Sequence, residues 1–146
     1  MKKFEIHAVG YVRNEVKKPR FGGWQDLISE IHLLPDLEEG LDGIKDYSHL
    51  VVLYWLDKVD KVKLKMHPQH KNGVPKVGIF ACRCPSRPNP IAATSCQLIE
   101  TKGSTLKVKG LDAIDGSLVI DIKPYWPQYD QVPAAKYPEW VDKLEF

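Results

Sequence analysis

The sequence predicts a mainly β protein, an antiparallel barrel or sandwich with one or two short helices. Three observations predict it. Apolar residues alternate with period two or gather in short β-branched runs. Clusters of Gly, Pro, Asn and Asp separate those runs. No amphipathic helix of roughly 10–15 residues lies between them, which argues against alternating βα units.

The elements follow in order. Phe4-Glu5-Ile6-His7-Ala8-Val9 alternates, and Gly10-Tyr11-Val12 extends it as a first strand. Ile28 to Leu34 is a second strand, stopped by Pro35. Residues 35–41 suit one or two helical turns, with acidic residues at the start and Gly40 at the stop. Leu50 to Leu56 is continuously apolar and of strand length, so it reads as the central buried strand. Val77 to Cys82, Thr94 to Glu100, Thr105 to Val108 and Ser117 to Ile122 complete the strands, with a hairpin signal at Asp115-Gly116. Residues 138–145 suit a short terminal helix with Pro138 at its first position. Lys58 to Lys76 is the longest stretch without an element, and loops of that length are usually functional or mobile.

The chain has 146 residues, 43% hydrophobic and 27% charged. That profile excludes disorder, collagen and coiled coil, and implies a single domain over residues 1–146 with a C-terminal tail from about 129. No apolar run approaches the roughly 20 residues of a membrane helix, and charge interrupts any signal-peptide core, so a cytoplasmic protein is expected. The net charge of +2 hides a segregated distribution. The nets are +4 over residues 1–20, −7 over 21–57, +9 over 58–109 and −4 over 110–146. A local positive field of that kind can collect polyanions.

Cys82, Cys84 and Cys96 cannot close a disulfide framework, and Cys82-x-Cys84 lacks the usual zinc spacing. Reduced, mostly buried cysteines and no metal are expected. The dinucleotide, P-loop, metalloprotease and serine-hydrolase motifs are all absent. Ser48-His49 offers no nucleophile–base pair, because neighbours on a strand point to opposite faces.

The chemistry concentrates after Val77. A strand runs into Arg83-x-Pro85-x-Arg87-Pro88-Asn89-Pro90. Three prolines in that loop fix φ and remove three backbone donors, excluding helix and central strand. The result is a stiff loop presenting two guanidinium groups and one carboxamide, suited to an anion, a carboxylate or a base edge. A second cluster is Gly110-Leu111-Asp112-Ala113-Ile114-Asp115-Gly116, where both aspartates fit turn capping. Asp121 and Lys123 alternate with Ile120 and Ile122 and should share one strand face.

Taken together, the Gly10 strand start, Ser48-His49-Leu50, GIFACRCPSRPNPI, GLDAIDG and DIKPY resemble the TrmO family of tRNA methyltransferases, over about residues 4 to 133. The resemblance implies a single antiparallel β-barrel of the TsaA-like type, usually a homodimer, with S-adenosyl-L-methionine near the subunit interface. It implies methylation of the exocyclic N6 of threonylcarbamoyladenosine, next to a tRNA anticodon. Arg83 matches the family's cofactor arginine, and Arg87-Pro88-Asn89-Pro90-Ile91 matches its core motif intact. Asp57 and Lys58 stand where members contact the cofactor, with residue types that differ from the family's. Gln25 aligns with a cofactor-side glutamine, although Gly22-Gly23-Trp24 replaces the usual Pro-Arg lead-in. Leu111, Asp112, Ala113 and Ile114 match the segment flanking the adenine. Cys82 and Cys84 replace the usual Thr and Ser beside Arg83, Ala92 replaces a glycine, and a short form without the second domain of bacterial members is expected.

On this reading Asp115, then Asn89, are the candidate proton acceptors. Lys61, Lys63, Lys65 and Lys71 would contact tRNA phosphates. The alternatives are a small-molecule methyl acceptor, as a short form without the extra domain would suit, or a non-catalytic RNA-binding barrel.

Overall fold

The computed structural model describes residues 1–146. Its strands are β1 (Gly10–Arg13), β2 (Ile28–Leu33), β3 (His49–Trp55), β4 (Lys65–Met66), β5 (Val77–Gly78), β6 (Ile91–Lys102), β7 (Thr105–Lys109) and β8 (Leu118–Pro124). Six of them close a barrel in the order β1-β2-β7-β6-β3-β8, with every pairing antiparallel. Closure leaves no free edge. β4 and β5 form a separate two-stranded ribbon.

Period-two alternation decides which side chains fill the barrel. Val12, Ile31, Leu50, Val52, Tyr54, Cys96, Leu106, Val108 and Val119 point inward and are buried. The opposite face of β8 carries Asp121 and Lys123 together, their carboxylate and ammonium 2.6 Å apart. Ile99 is an extra residue in β6 against β7, and β8 skips Ile120 against Leu53 and Tyr54 of β3. Such bulges bend strands and help a sheet curl closed. A smaller core of Val16, Trp24 and Leu27, backed by Ile114, supports the loop between β1 and β2.

Several sequence expectations need correction. The first strand begins at Gly10 rather than Phe4, and Phe4 and Ile6 are exposed. Val9 still exchanges bonds with Val119 and Leu34, but no partner strand extends further, so the alternation has nothing to pack against. Val77 to Cys82 is a strand only at Val77–Gly78, followed by a 3-10 turn at Ile79–Ala81 that leaves Phe80 exposed. Its only strand partner is the two-residue β4. The helices at Pro35–Leu41 and Glu139–Lys143 are 3-10, and the first runs through Gly40. The single α-helical turn, α1 (Pro127–Asp130), has no strong periodic signal. No helix is long and apolar enough to cross a membrane.

Candidate functional site

Antiparallel order brings the ends of β1, β3 and β7 and the starts of β2, β6 and β8 to one end of the barrel. Three connections therefore meet there: residues 14–27, 56–90 and 110–117. Gln25, Asp57, Lys58, Arg83, Asn89, Asp112 and Asp115 all lie in these three loops. Separation in sequence becomes proximity through strand direction alone.

At the centre of this rim stands Tyr54, the last inward residue of β3. Its hydroxyl donates to the Asp112 carbonyl and shares a 3.2 Å hydrogen bond with Thr94 Oγ1. Burial and the neighbouring Asp112 carboxylate push its phenol well above the usual value. It is a neutral pillar that fixes the Asp112 backbone to the barrel. Gly110 (φ 87°) and Gly116 (φ 83°) bracket that segment, in backbone conformations that side chains disfavour.

The Asp112 side chain reaches solvent, but its carboxylate loses hydration to the surrounding protein. That desolvation raises its pKa, against the opposing pull of the Arg83 and Arg20 charges. Arg83 Nη2 also donates to the Ala93 carbonyl at the start of β6. Arg20 lies 4.8 Å over the Trp24 ring and donates to the Gly23 carbonyl at 2.7 Å. The site thus has one carboxylate of raised proton affinity on which two cations act.

The proline loop is pinned from inside. Arg87 Nη1 donates to the carbonyls of Ile79 (3.0 Å), Cys82 (2.8 Å) and Cys84 (3.2 Å). Two three-residue turns, Arg87 N–H to Pro85 and Ile91 N–H to Asn89, tighten the loop further. Arg87 therefore spends this nitrogen on holding the loop, while Pro88 and Asn89 remain exposed. Leu111 and Ala113 are 0% and 3% exposed and belong to the barrel core. Their side chains cannot reach a ligand, so this segment presents Asp112, half-buried Ile114 and backbone.

Asp115 stands apart from Asp112 in its partners. It pairs with Lys17 at 2.7 Å and Arg13 at 3.6 Å, and accepts the Asn14 N–H at 3.0 Å. Those bonds hold its carboxyl below the usual aspartate range. A depressed pKa contributes stability above the unfolded-state value of about 3.9, and the contribution fades as pH falls through the folded value. Urea melts at descending pH should show the parent losing stability below about pH 4, with Asp115→Asn losing less over the same range. Equal losses would show that these bonds do not act on folding.

Lys61, Lys63 and Lys65 are exposed, whereas Lys71 is half-buried. The Lys71 ammonium donates to the Lys143 carbonyl at 2.9 Å and lies 3.5 Å from Glu145. Its charge is partly used inside the molecule. Ser48 Oγ and His49 Nδ1 do pair, at 2.8 Å, because Ser48 precedes β3 and strand alternation does not govern it. That exposed pair sits at the opposite end of the barrel. No group of three or more His, Cys, Asp or Glu converges anywhere in the molecule.

Residues 10–131 match the N-terminal domain of tRNA-methyltransferase O. The chain belongs to this family. An S-adenosyl-L-methionine-binding protein of Archaeoglobus fulgidus is 41% identical over 131 residues, covering 87% of this chain and 93% of that protein. A mouse tRNA (adenine(37)-N6)-methyltransferase is 39% identical over 95 residues, covering 64% of this chain and 22% of that enzyme. The crystal structure of TrmO from Pseudomonas aeruginosa superposes with a TM-score of 0.78 at 25% identity, over 95% of this chain and 62% of that one. The chain thus spans less than two thirds of the solved structure and under a quarter of the mouse enzyme. Membership gives the TrmO barrel and the class of S-adenosyl-L-methionine-dependent methyltransferases.

Two site residues carry no motif. Arg20 reaches the rim through Gly22 (φ 72°) and Gly23 (φ 75°), whose adjacency in sequence signals a tight reversal. Tyr54 was legible in part, since a hydroxyl inside an apolar run must find a partner when buried.

Proposed function

We propose that this chain binds S-adenosyl-L-methionine at the rim of the barrel and methylates the N6 of threonylcarbamoyladenosine in tRNA. The observation that carries the reading is that the intact R-x-P-x-RPNPI loop holding Arg83 and the segment holding Asp112 open at the same end of the barrel. The donor set fits the cofactor: Arg83 and Gln25 suit its carboxylate and polar edges, and Asp57 and Asp112 suit its cationic sulfur. Lys58 and Asn89 line the same rim. The cofactor supplies a methyl group activated for displacement. The protein's part is to align the acceptor nitrogen and remove its proton.

For that proton we favour Asp112 over Asp115 and Asn89. Its pKa is raised, the direction that suits an acceptor near neutral pH, whereas Asp115 is held low by Lys17. The tRNA reading draws on the mouse relative and on the basic stretch around Lys61, Lys63 and Lys65. A cytoplasmic protein, the expectation from the sequence, fits a tRNA substrate.

A homodimer is part of the proposal. Val62, Leu64 and Phe80 are 54%, 69% and 80% exposed. They surround the arginine loop, since the Ile79 N–H bonds the Leu64 carbonyl and Arg87 lies 5.9 Å over Phe80. An apolar surface beside the site suits a second copy closing over the cofactor.

Calorimetric titration with S-adenosyl-L-methionine tests the site. Arg83→Ala should weaken binding by about tenfold or more, the worth of a charge-assisted hydrogen bond. Unchanged affinity would remove Arg83 from the cofactor site.

A further inference from the structure

Cys82 and Cys84 flank Arg83, the residue on which the cofactor reading above rests. Cys82 is extended (φ −140°, ψ 172°), and in an extended segment residues 82 and 84 leave the backbone on one side with residue 83 on the other. Cys82 Sγ lies 3.6 Å from the Ile79 carbonyl, and the Cys82 thiol is near enough to act on the Cys84 thiol. Cys82 is half-buried and Cys84 is buried. Cys96 is walled off in the barrel core on β6.

The geometry couples this pair to its neighbour. Alternate residues of an extended chain lie about 6.6 Å apart at Cα, close to the upper limit of about 6.8 Å for a disulfide. The Cβ atoms must also approach to about 3.8 Å. Closing the bridge therefore draws residues 82 and 84 together, and the peptide that buckles is the one carrying Arg83. The same movement pulls on the Cys82 and Cys84 carbonyls that Arg87 holds.

We propose that Cys82 and Cys84 form a reversible disulfide that turns Arg83 away from the barrel rim and weakens cofactor binding. Peroxide is the oxidant. The Cys82 sulfur attacks one peroxide oxygen, the O–O bond breaks, and water leaves behind a sulfenic acid. The Cys84 sulfur then attacks the Cys82 sulfur, the S–S bond forms, and the hydroxyl departs with the Cys84 proton as a second water. Two thiols lose two electrons and one peroxide gains them. Cys82 is half-buried and is the thiol an oxidant meets first, while buried Cys84 is shielded from peroxide and attacks second. A thiol reductant reverses the bridge by exchange.

The test treats the full chain with hydrogen peroxide, blocks remaining thiols, and maps the peptides. The expected product has lost two hydrogen atoms and joins the two peptides created by cleavage after Arg83. Fragmentation should place the bridge at Cys84 and leave Cys96 alkylated. Its affinity for S-adenosyl-L-methionine should fall by about tenfold and return with dithiothreitol. The double variant Cys82→Thr, Cys84→Ser should bind the cofactor normally and ignore peroxide. Absence of the bridge, or a bridge with unchanged affinity, overturns the proposal. Arg83→Ala on the reduced protein separates the two readings, because unchanged affinity there removes the cofactor assignment whether or not the bridge forms.

Discussion

Asp112→Asn is expected to slow methyl transfer about a hundredfold, the lower range for loss of a positioned proton acceptor. The substitution preserves shape and the backbone bond from Tyr54, so the fold should survive. It removes a carboxylate on which the charges of Arg83 and Arg20 both act. Because burial raises the Asp112 pKa, the acid limb of the parent's rate profile should lie above the ordinary aspartate range, and the variant should lose that limb. A drop confined to kcat supports proton acceptance. A drop carried entirely by KM for the cofactor would make Asp112 a binding residue, and an unchanged rate would remove it from the chemistry.

The second large effect concerns salt. With three phosphate contacts from Lys61, Lys63 and Lys65, raising salt from about 50 to about 200 mM should weaken tRNA binding roughly 20- to 40-fold. Lys71 is left out of this count because it already bonds Lys143 and pairs with Glu145. Replacing the three exposed lysines by alanine should flatten the slope of log affinity against log salt, as measured by filter binding or fluorescence anisotropy. A slope that survives the triple replacement would move the RNA surface elsewhere on the barrel.

The barrel was legible because its strands obey simple periodicities. Leu50 to Leu56 reads as a buried strand and becomes β3, and Ile28 to Leu34 becomes β2 within a residue. Phe4 to Val9 obeys the same rule and is no strand, because alternation needs a partner that the register of β1 does not supply. Val77 to Cys82 fails for a different reason. A guanidinium from Arg87 collects three of its neighbours' carbonyls, and no local pattern announces that.

At the site, residue identity was more legible than role. Arg83 and Asp112 were visible in the motifs, and strand direction supplies the reason their loops share one end of the barrel. Alternation around Asp112 already implied that Leu111 and Ala113 face the core, so a resemblance of segments had to be divided residue by residue. The ion pairs of Asp115 were hidden because Arg13, at the end of β1, and Lys17, in the loop after it, lie about a hundred positions earlier in the chain. Arg20 was hidden because its place over Trp24 depends on two consecutive left-handed glycines.

The most direct measurement is transfer of labelled methyl from S-adenosyl-L-methionine to bulk tRNA, followed by digestion and nucleoside analysis. Label should appear in N6-methyl-threonylcarbamoyladenosine, and only with tRNA that already carries the threonylcarbamoyl group. Label in a different nucleoside would contradict the assigned substrate while leaving the enzyme class standing. Cofactor binding without any labelled tRNA would contradict the tRNA methyltransferase itself.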